Sequence, residues 1–288
     1  MKLSIDTIRS DFDGFSRIAR IASDTQALAE DVLELDFSGC TFFEANMVAP
    51  LYTVIARLFE DLNEVTLLNI PVSVEKNLRK NHFLSLFGAR ILPDSNQTTL
   101  PFKIFKLHAG EQFSDYLDIY MEGKGIPEMS AVTSRRFRQS LFEIFQNAAL
   151  HSESKSGIFA CGQFFPQLHR LDFSIADAGI GIRESVRRYL RSKINSCDAI
   201  RWALVEGNTT KMDHPGGLGL KLLKEFIRMN VGKLQIVSRL GYYEFSAEGE
   251  SIRKMENDFS GTCVNIEINT QDTKTYHLAS EPQEDNIL

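Results

Sequence analysis

A strand that runs straight into Asp177-Ala178-Gly179-Ile180-Gly181-Ile182 constrains this chain more than any other stretch. Leu171, Phe173 and Ile175 alternate with Asp172, Ser174 and Ala176, the period-two pattern of a strand with one face on a core. A carboxylate fixed at the end of such a strand can accept a hydrogen bond from an amino group such as that of adenine. The two glycines beyond it let the backbone approach a ligand closely or take positive φ. The same residues also make an ordinary strand-to-helix turn, so the neighbouring motifs decide between the two.

Three of them bear on it. Glu143, Asn147 and His151 stand four residues apart and form one row along a helix expected over 134–152. Leu141, Phe145, Ala148 and Ala149 lie on the adjacent face, suited to packing on a sheet. An amide oxygen is a hard ligand suited to Mg²⁺, and a carboxylate one turn earlier is placed to orient a water. Further on, His214-Pro215-Gly216-Gly217-Leu218-Gly219-Leu220-Lys221 leads into a helix over 218–229. Free amides at a helix start bind anions, glycines admit phosphates close to them, and Lys221 adds charge. The polar run 207–213 before it reads as a lid. The stretch follows a loop and not a strand, which disfavours a dinucleotide fingerprint, and no GxxxxGK[ST] occurs. Finally, Gly261-Thr262 opens the last strand, where a hydroxyl can bond Asp177 or a water beside it.

Around these motifs the chain reads as α/β. Strands are expected at 32–37, 65–70, 157–165, 168–176, 233–238, 242–245 and 262–268. Helices are expected at 44–63, 74–87 and 184–193 as well as the two above. In the 44–63 helix Val48, Leu51, Tyr52, Ile55, Leu58, Phe59 and Leu62 mark one apolar stripe. The strand–helix–strand–helix order of the first segment implies a small domain with a parallel pair. The second segment reads as hairpin-linked strands under helices on one face. A weakly patterned N-terminus, a polar linker at 93–104 and a frayed tail from Gln271 complete the expectation, with domains at 1–92 and 105–270.

Composition removes several function classes. Lys plus Arg is 32 and Asp plus Glu is 38, a net charge of −6, which gives no general attraction to nucleic acid or anionic membrane. No apolar run is long enough to cross a bilayer and the N-terminus lacks a signal-peptide core, so the expected location is cytoplasmic. Cys40, Cys161, Cys197 and Cys263 are scattered and form no CxxC pair, as expected of buried small hydrophobes.

Thirty residues separate Asn147 from Asp177 and forty separate Asp177 from Gly217. In this order and spacing the chain resembles the GHKL (histidine kinase-like, Bergerat) ATPases over about residues 105–270. EIFQNAALHS resembles the N box, DAGIGI and GGLGLKLLKEF the two glycine boxes, and NVGKLQIVS and GTCVNIEI the closing strands. The resemblance implies an α/β sandwich that binds ATP with Mg²⁺. It implies Asn147 as the Mg²⁺ ligand, Asp177 on adenine, Gly179 and Gly181 shaping the base pocket, and Thr262 supporting the base. His151, Gly217, Leu218, Gly219, Leu220 and Lys221 would complete the nucleotide site. Glu143 is the implied catalytic base, in the arrangement of anti-sigma-factor kinases. Residues 1–92 resemble a STAS domain, an α/β fold, through VLELDFSGCTFFEANMVAPLYTVIARL, VTLLNI and NHFLSLFG. Where STAS antagonists carry a phosphoacceptor Ser this chain has Glu44-Ala45-Asn46-Met47, without a hydroxyl, which implies a docking or regulatory role. The resulting expectation is an ATPase or serine/threonine protein kinase regulated through a protein partner on the STAS-like segment, with a homodimer compatible with it. The alternative is a non-catalytic ATP-dependent interaction switch.

Overall fold

The computed structural model describes residues 1–205, 207–208, 218–272 and 274–277. The polypeptide forms an α/β structure with two sheets. The first sheet is parallel, with β1 (Lys2–Ser4), β2 (Val32–Asp36) and β3 (Glu64–Leu68) in that order. The second is antiparallel and five-stranded. It orders β4 (Thr99–Phe105), β5 (Ile158–Phe165), β6 (Arg170–Asp177), β8 (Gly249–Asn269) and β7 (Lys233–Ser246) from edge to edge.

Helices α1 (Phe12–Asp24) and α2 (Val48–Glu60) lie between the sheets and share one core with both. Helix α2 explains how. The stripe expected from its sequence is one-sided, but Ala49, Pro50, Thr53, Val54 and Ala56 are buried as well. A helix apolar nearly all round must be covered nearly all round. One side packs under β3 and the other on β5, β6 and β8 through Phe159, Cys161, Ala176 and Cys263. The expectation of helices on one face of the large sheet is therefore corrected: both faces are covered. Leu62, assigned to the stripe, lies past the helix end and is 72 % exposed.

The seam between α2 and the large sheet also holds buried polar groups. Ser10 donates to the Glu44 carboxylate from its N–H (2.5 Å) and hydroxyl (2.6 Å), and Arg170 donates to the other oxygen at 2.6 Å. The Asn46 amide donates to Ser10 Oγ (2.7 Å) and Asn265 Oδ1 (3.0 Å). The acceptor-like Glu44-Ala45-Asn46 stretch is thus sealed inside the molecule.

Helices α4 (Gly110–Met121), α5 (Ala131–His151), α6 (Gly181–Leu190), α7 (Ser196–Leu204) and α8 (Leu218–Asn230) occupy the far side of the large sheet, over a second core. Shorter α3 (Val72–Lys80) and a 3₁₀ turn (Phe83–Phe87), ended at Gly88 with φ +81°, replace the single helix expected at 74–87.

Other local expectations are corrected too. The N-terminus supplies β1 and α1, and Asp11 caps α1 by accepting the Gly14 N–H at 2.7 Å. The 93–104 linker contains most of edge strand β4, where Leu100, Phe102 and Phe105 are buried in the two cores. Strands expected at 233–238 and 242–245 are one bulged strand, because register shifts around Arg239 interrupt the alternation without ending the pairing. In the tail, Tyr276 is buried against Phe226 (5.7 Å between rings), so the described part of 271–277 is anchored. Cys40, Cys161 and Cys263 are buried and Cys197 is half-buried, all as free thiols.

Candidate active site

The longest helix, α5, starts at Ser130, whose hydroxyl accepts the Thr133 N–H at 3.0 Å. Phe137, Leu141, Ile144 and Phe145 bury one face, which turns the Glu143–Asn147–His151 row along the edge of the packed surface. The helix end is tied to the Asp-Gly turn. Ile180 donates its N–H to the Ser152 carbonyl at 2.7 Å, and a Cβ on Gly179 would stand 1.9 Å from that oxygen. Gly179 therefore serves an approach to the protein's own backbone, where the sequence offered an approach to a ligand. Gly181 takes φ +78° and lines the cavity.

Strand β6 ends at Asp177, directly opposite Thr262 of β8. The Asp177 side chain is 3 % exposed and accepts the Gly179 N–H at 2.9 Å. Burial pushes its carboxyl up to about 7, while the N–H groups of Gly179 and Thr262 pull the other way. The Thr262 hydroxyl does not bond Asp177. It lies 3.0 Å from Ser238 Oγ, which accepts the Ile182 N–H (2.9 Å) and donates to the Gly261 carbonyl (3.1 Å). Ser238 thus ties β7, the Asp-Gly turn and the start of α6 around the carboxylate.

These elements enclose a cavity of about 160 Å³, roughly ten times the room a single water needs. Ile144, Ile175, Ile236 and Val264 form an apolar floor, with Ile182 and Val186 of α6 and Leu220 of α8 as walls. Asn147, His151, Asp177, Ser185 and Thr262 supply polar atoms to the same space. A mostly apolar cavity with a few convergent polar groups is the usual form of a small-molecule site, and this one suits a flat heterocycle with an amino group over Asp177.

Of the residues singled out in the sequence, Asn147, His151, Asp177, Gly181, Leu220 and Thr262 line the cavity. Gly179 stands behind it. Glu143 lies off the lining and accepts the Gly219 N–H at 2.8 Å, at the start of α8. Leu218 is the first residue of α8, and Lys221 is exposed. Gly217 and most of the 207–213 stretch read as a lid lie outside the described residues. Trp202 and Ala203 of α7 also line the cavity and were not anticipated. The readable signal was Asn195, which caps α7 by accepting the Asp198 N–H at 2.9 Å, ahead of the apolar pair Ala199-Ile200.

No family model matches the chain. Over 108 residues it is 30 % identical to the circadian input-output histidine kinase CikA of Synechococcus elongatus, a match covering 37 % of this chain and 13 % of that protein. The likeness is therefore to a part of a histidine kinase. No helix among the described residues is long and apolar enough to cross a membrane.

Proposed function

We propose that the cavity binds ATP with Mg²⁺ in the GHKL manner and that the chain works in kinase-type signalling. One observation carries the reading: a buried carboxylate in the lining of a mostly apolar cavity, with its proton affinity raised. Such a group gains from a donor brought into the cavity, because the donor offsets a desolvation cost already present. The adenine amino group is that donor. Gly181, Ile182 and Val186 border the base, and Thr262, held by Ser238, fixes the strand end beside it.

Asn147 fits Mg²⁺ by chemistry, since its amide is a hard oxygen donor on the same cavity wall. The ion would neutralise triphosphate charge. The α8 start offers amides for phosphate, among them the Gly219 N–H now held by Glu143. Gly217, Leu218, Leu220 and Lys221 belong to the same proposed seat. Glu143 is then the base for a water or a substrate hydroxyl once phosphate has taken its amide. The N-terminal segment is the STAS-like regulatory part of this reading.

The Glu143–Gly219 bond also favours a second reading. A carboxylate that holds the α8 start when phosphate does not is a latch, and a latch suffices for an ATP-dependent interaction switch without turnover. Calorimetric titration of ATP with and without Mg²⁺ tests the binding. Equal affinities for wild type and Asp177→Asn would reject the adenine assignment. γ-Labelled ATP separates the outcomes: free phosphate, label on a protein, or neither, the last selecting the switch.

A further inference from the structure

Residues 183–201 hold six cations, Arg183, Arg187, Arg188, Arg191, Lys193 and Arg201, against two carboxylates, Glu184 and Asp198. The chain as a whole runs the other way, with 32 cations against 38 carboxylates. All six cations are exposed, on α6, α7 and the turn between them. The nearby acids are already engaged. Arg187 and Arg188 both hold Glu184, Arg188 also reaches Glu153 (2.5 Å), and Arg201 holds Asp198 (2.7 Å). Arg191 and Lys193 have no hydrogen-bond or ion-pair partner among the described residues. Helix α6 ends with Arg191 at φ +51°, so these two side chains leave from a turn and not from a helix face.

Apolar groups are interleaved with the charge. Tyr189 is 50 % exposed. Leu190 beside it in the chain is exposed too, as is Val205, whose N–H donates to the Trp202 carbonyl at the end of α7. The Tyr189 ring lies 5.6 Å from that of Trp202, which lines the cavity. The surface is therefore continuous with the cavity wall. Arginine beside tyrosine is the composition enriched at protein interfaces, where a charged head and an apolar body act together.

We propose that the α6–α7 surface docks an acidic segment of a partner protein that carries apolar side chains among its carboxylates. Carboxylates would take Arg191 and Lys193, and the apolar side chains would cover Tyr189, Leu190 and Val205. A nucleic acid backbone makes no use of those three and would meet the acidic remainder of the chain beyond the patch. This docking goes beyond the nucleotide reading and holds whatever the cavity binds.

The test uses the whole chain and a fluorescein-labelled peptide of about twelve residues, mainly Glu with two Leu and one Tyr. The expected result is an anisotropy rise at low salt that weakens about tenfold in Arg191→Glu/Lys193→Glu. This pair touches no intramolecular ion pair, so the variant should keep the wild-type melting temperature. Arg201→Glu on the α7 side should weaken binding in the same direction. Full peptide binding by the double variant, or no binding by wild type, would overturn the proposal. So would tighter capture of polyuridine RNA or of phosphatidylserine vesicles than of the peptide. ATP titration of the same samples reads the cavity separately, so one assignment can fail without the other.

Discussion

Replacing Asp177 by Asn keeps the shape of the side chain and an acceptor for the Gly179 N–H, but removes the ionisation. The folded carboxyl titrates near 7 and the ordinary value is 3.8. Between these values the folded protein binds more protons than the unfolded chain, so stability falls as pH rises through the window and levels off above 7. At pH 8 the ionised group costs about 4 kcal/mol relative to an exposed carboxylate, and at pH 5 less than half of that. The difference in unfolding free energy between Asp177→Asn and wild type should therefore grow by about 2 to 3 kcal/mol from pH 5 to pH 8. In melting temperature that is roughly 3 to 5 °C for a chain of this size. Nucleotide-free melts of both proteins at the two pH values measure it. The cause also predicts a trade-off: ATP should raise the melting temperature of wild type at pH 8 and leave that of the stabilised variant unmoved. A mutant-to-wild-type difference that is flat with pH would refute the burial argument. A variant less stable at pH 8 would refute it as well.

Gly179→Ala should destabilise by about 3 kcal/mol, because its Cβ would meet the Ser152 carbonyl oxygen; a chemical denaturation curve checks this. Glu143→Ala should leave ATP affinity equal or tighter, since it vacates the Gly219 N–H, while lowering any turnover by about 100- to 10,000-fold in a phosphate-release assay. Removing residues 1–92, which the sequence alone treats as a separable module, should yield a protein without cooperative melting. It uncovers Phe159, Val237, Tyr242 and Phe259 on the large sheet, and differential scanning calorimetry of the truncated chain provides the measurement.

Local rules determined much of this protein. The polar row of α5 follows from a four-residue spacing, and Asp177 at the end of β6 follows from alternation that stops at an Asp-Gly turn. Both are contained within one element, so reading one element suffices. Helix α1 was missed although its signals are local, Asp11 as a cap and Phe15, Ile18, Ala19 and Ala22 on one face, because Gly14 and the charges around it dilute the pattern. Edge strand β4 was hidden for another reason. Its Leu100-Pro101-Phe102 run is short, follows a polar turn and gains its pairing only from β5. What tertiary structure alone decided lies between elements far apart in sequence. Helix α2 is buried on two sides because two sheets meet on it, which no single stripe announces. Glu44 and Asn46 are sealed by Arg170 and Asn265, and Trp202 reaches the cavity from a helix to which the sequence reading assigned nothing. The raised proton affinity of Asp177 comes from the walls that β7, β8, α5 and α6 build around it. Spacing along one element sets which side chains share a face, but burial and electrostatics depend on what the rest of the chain brings against that face.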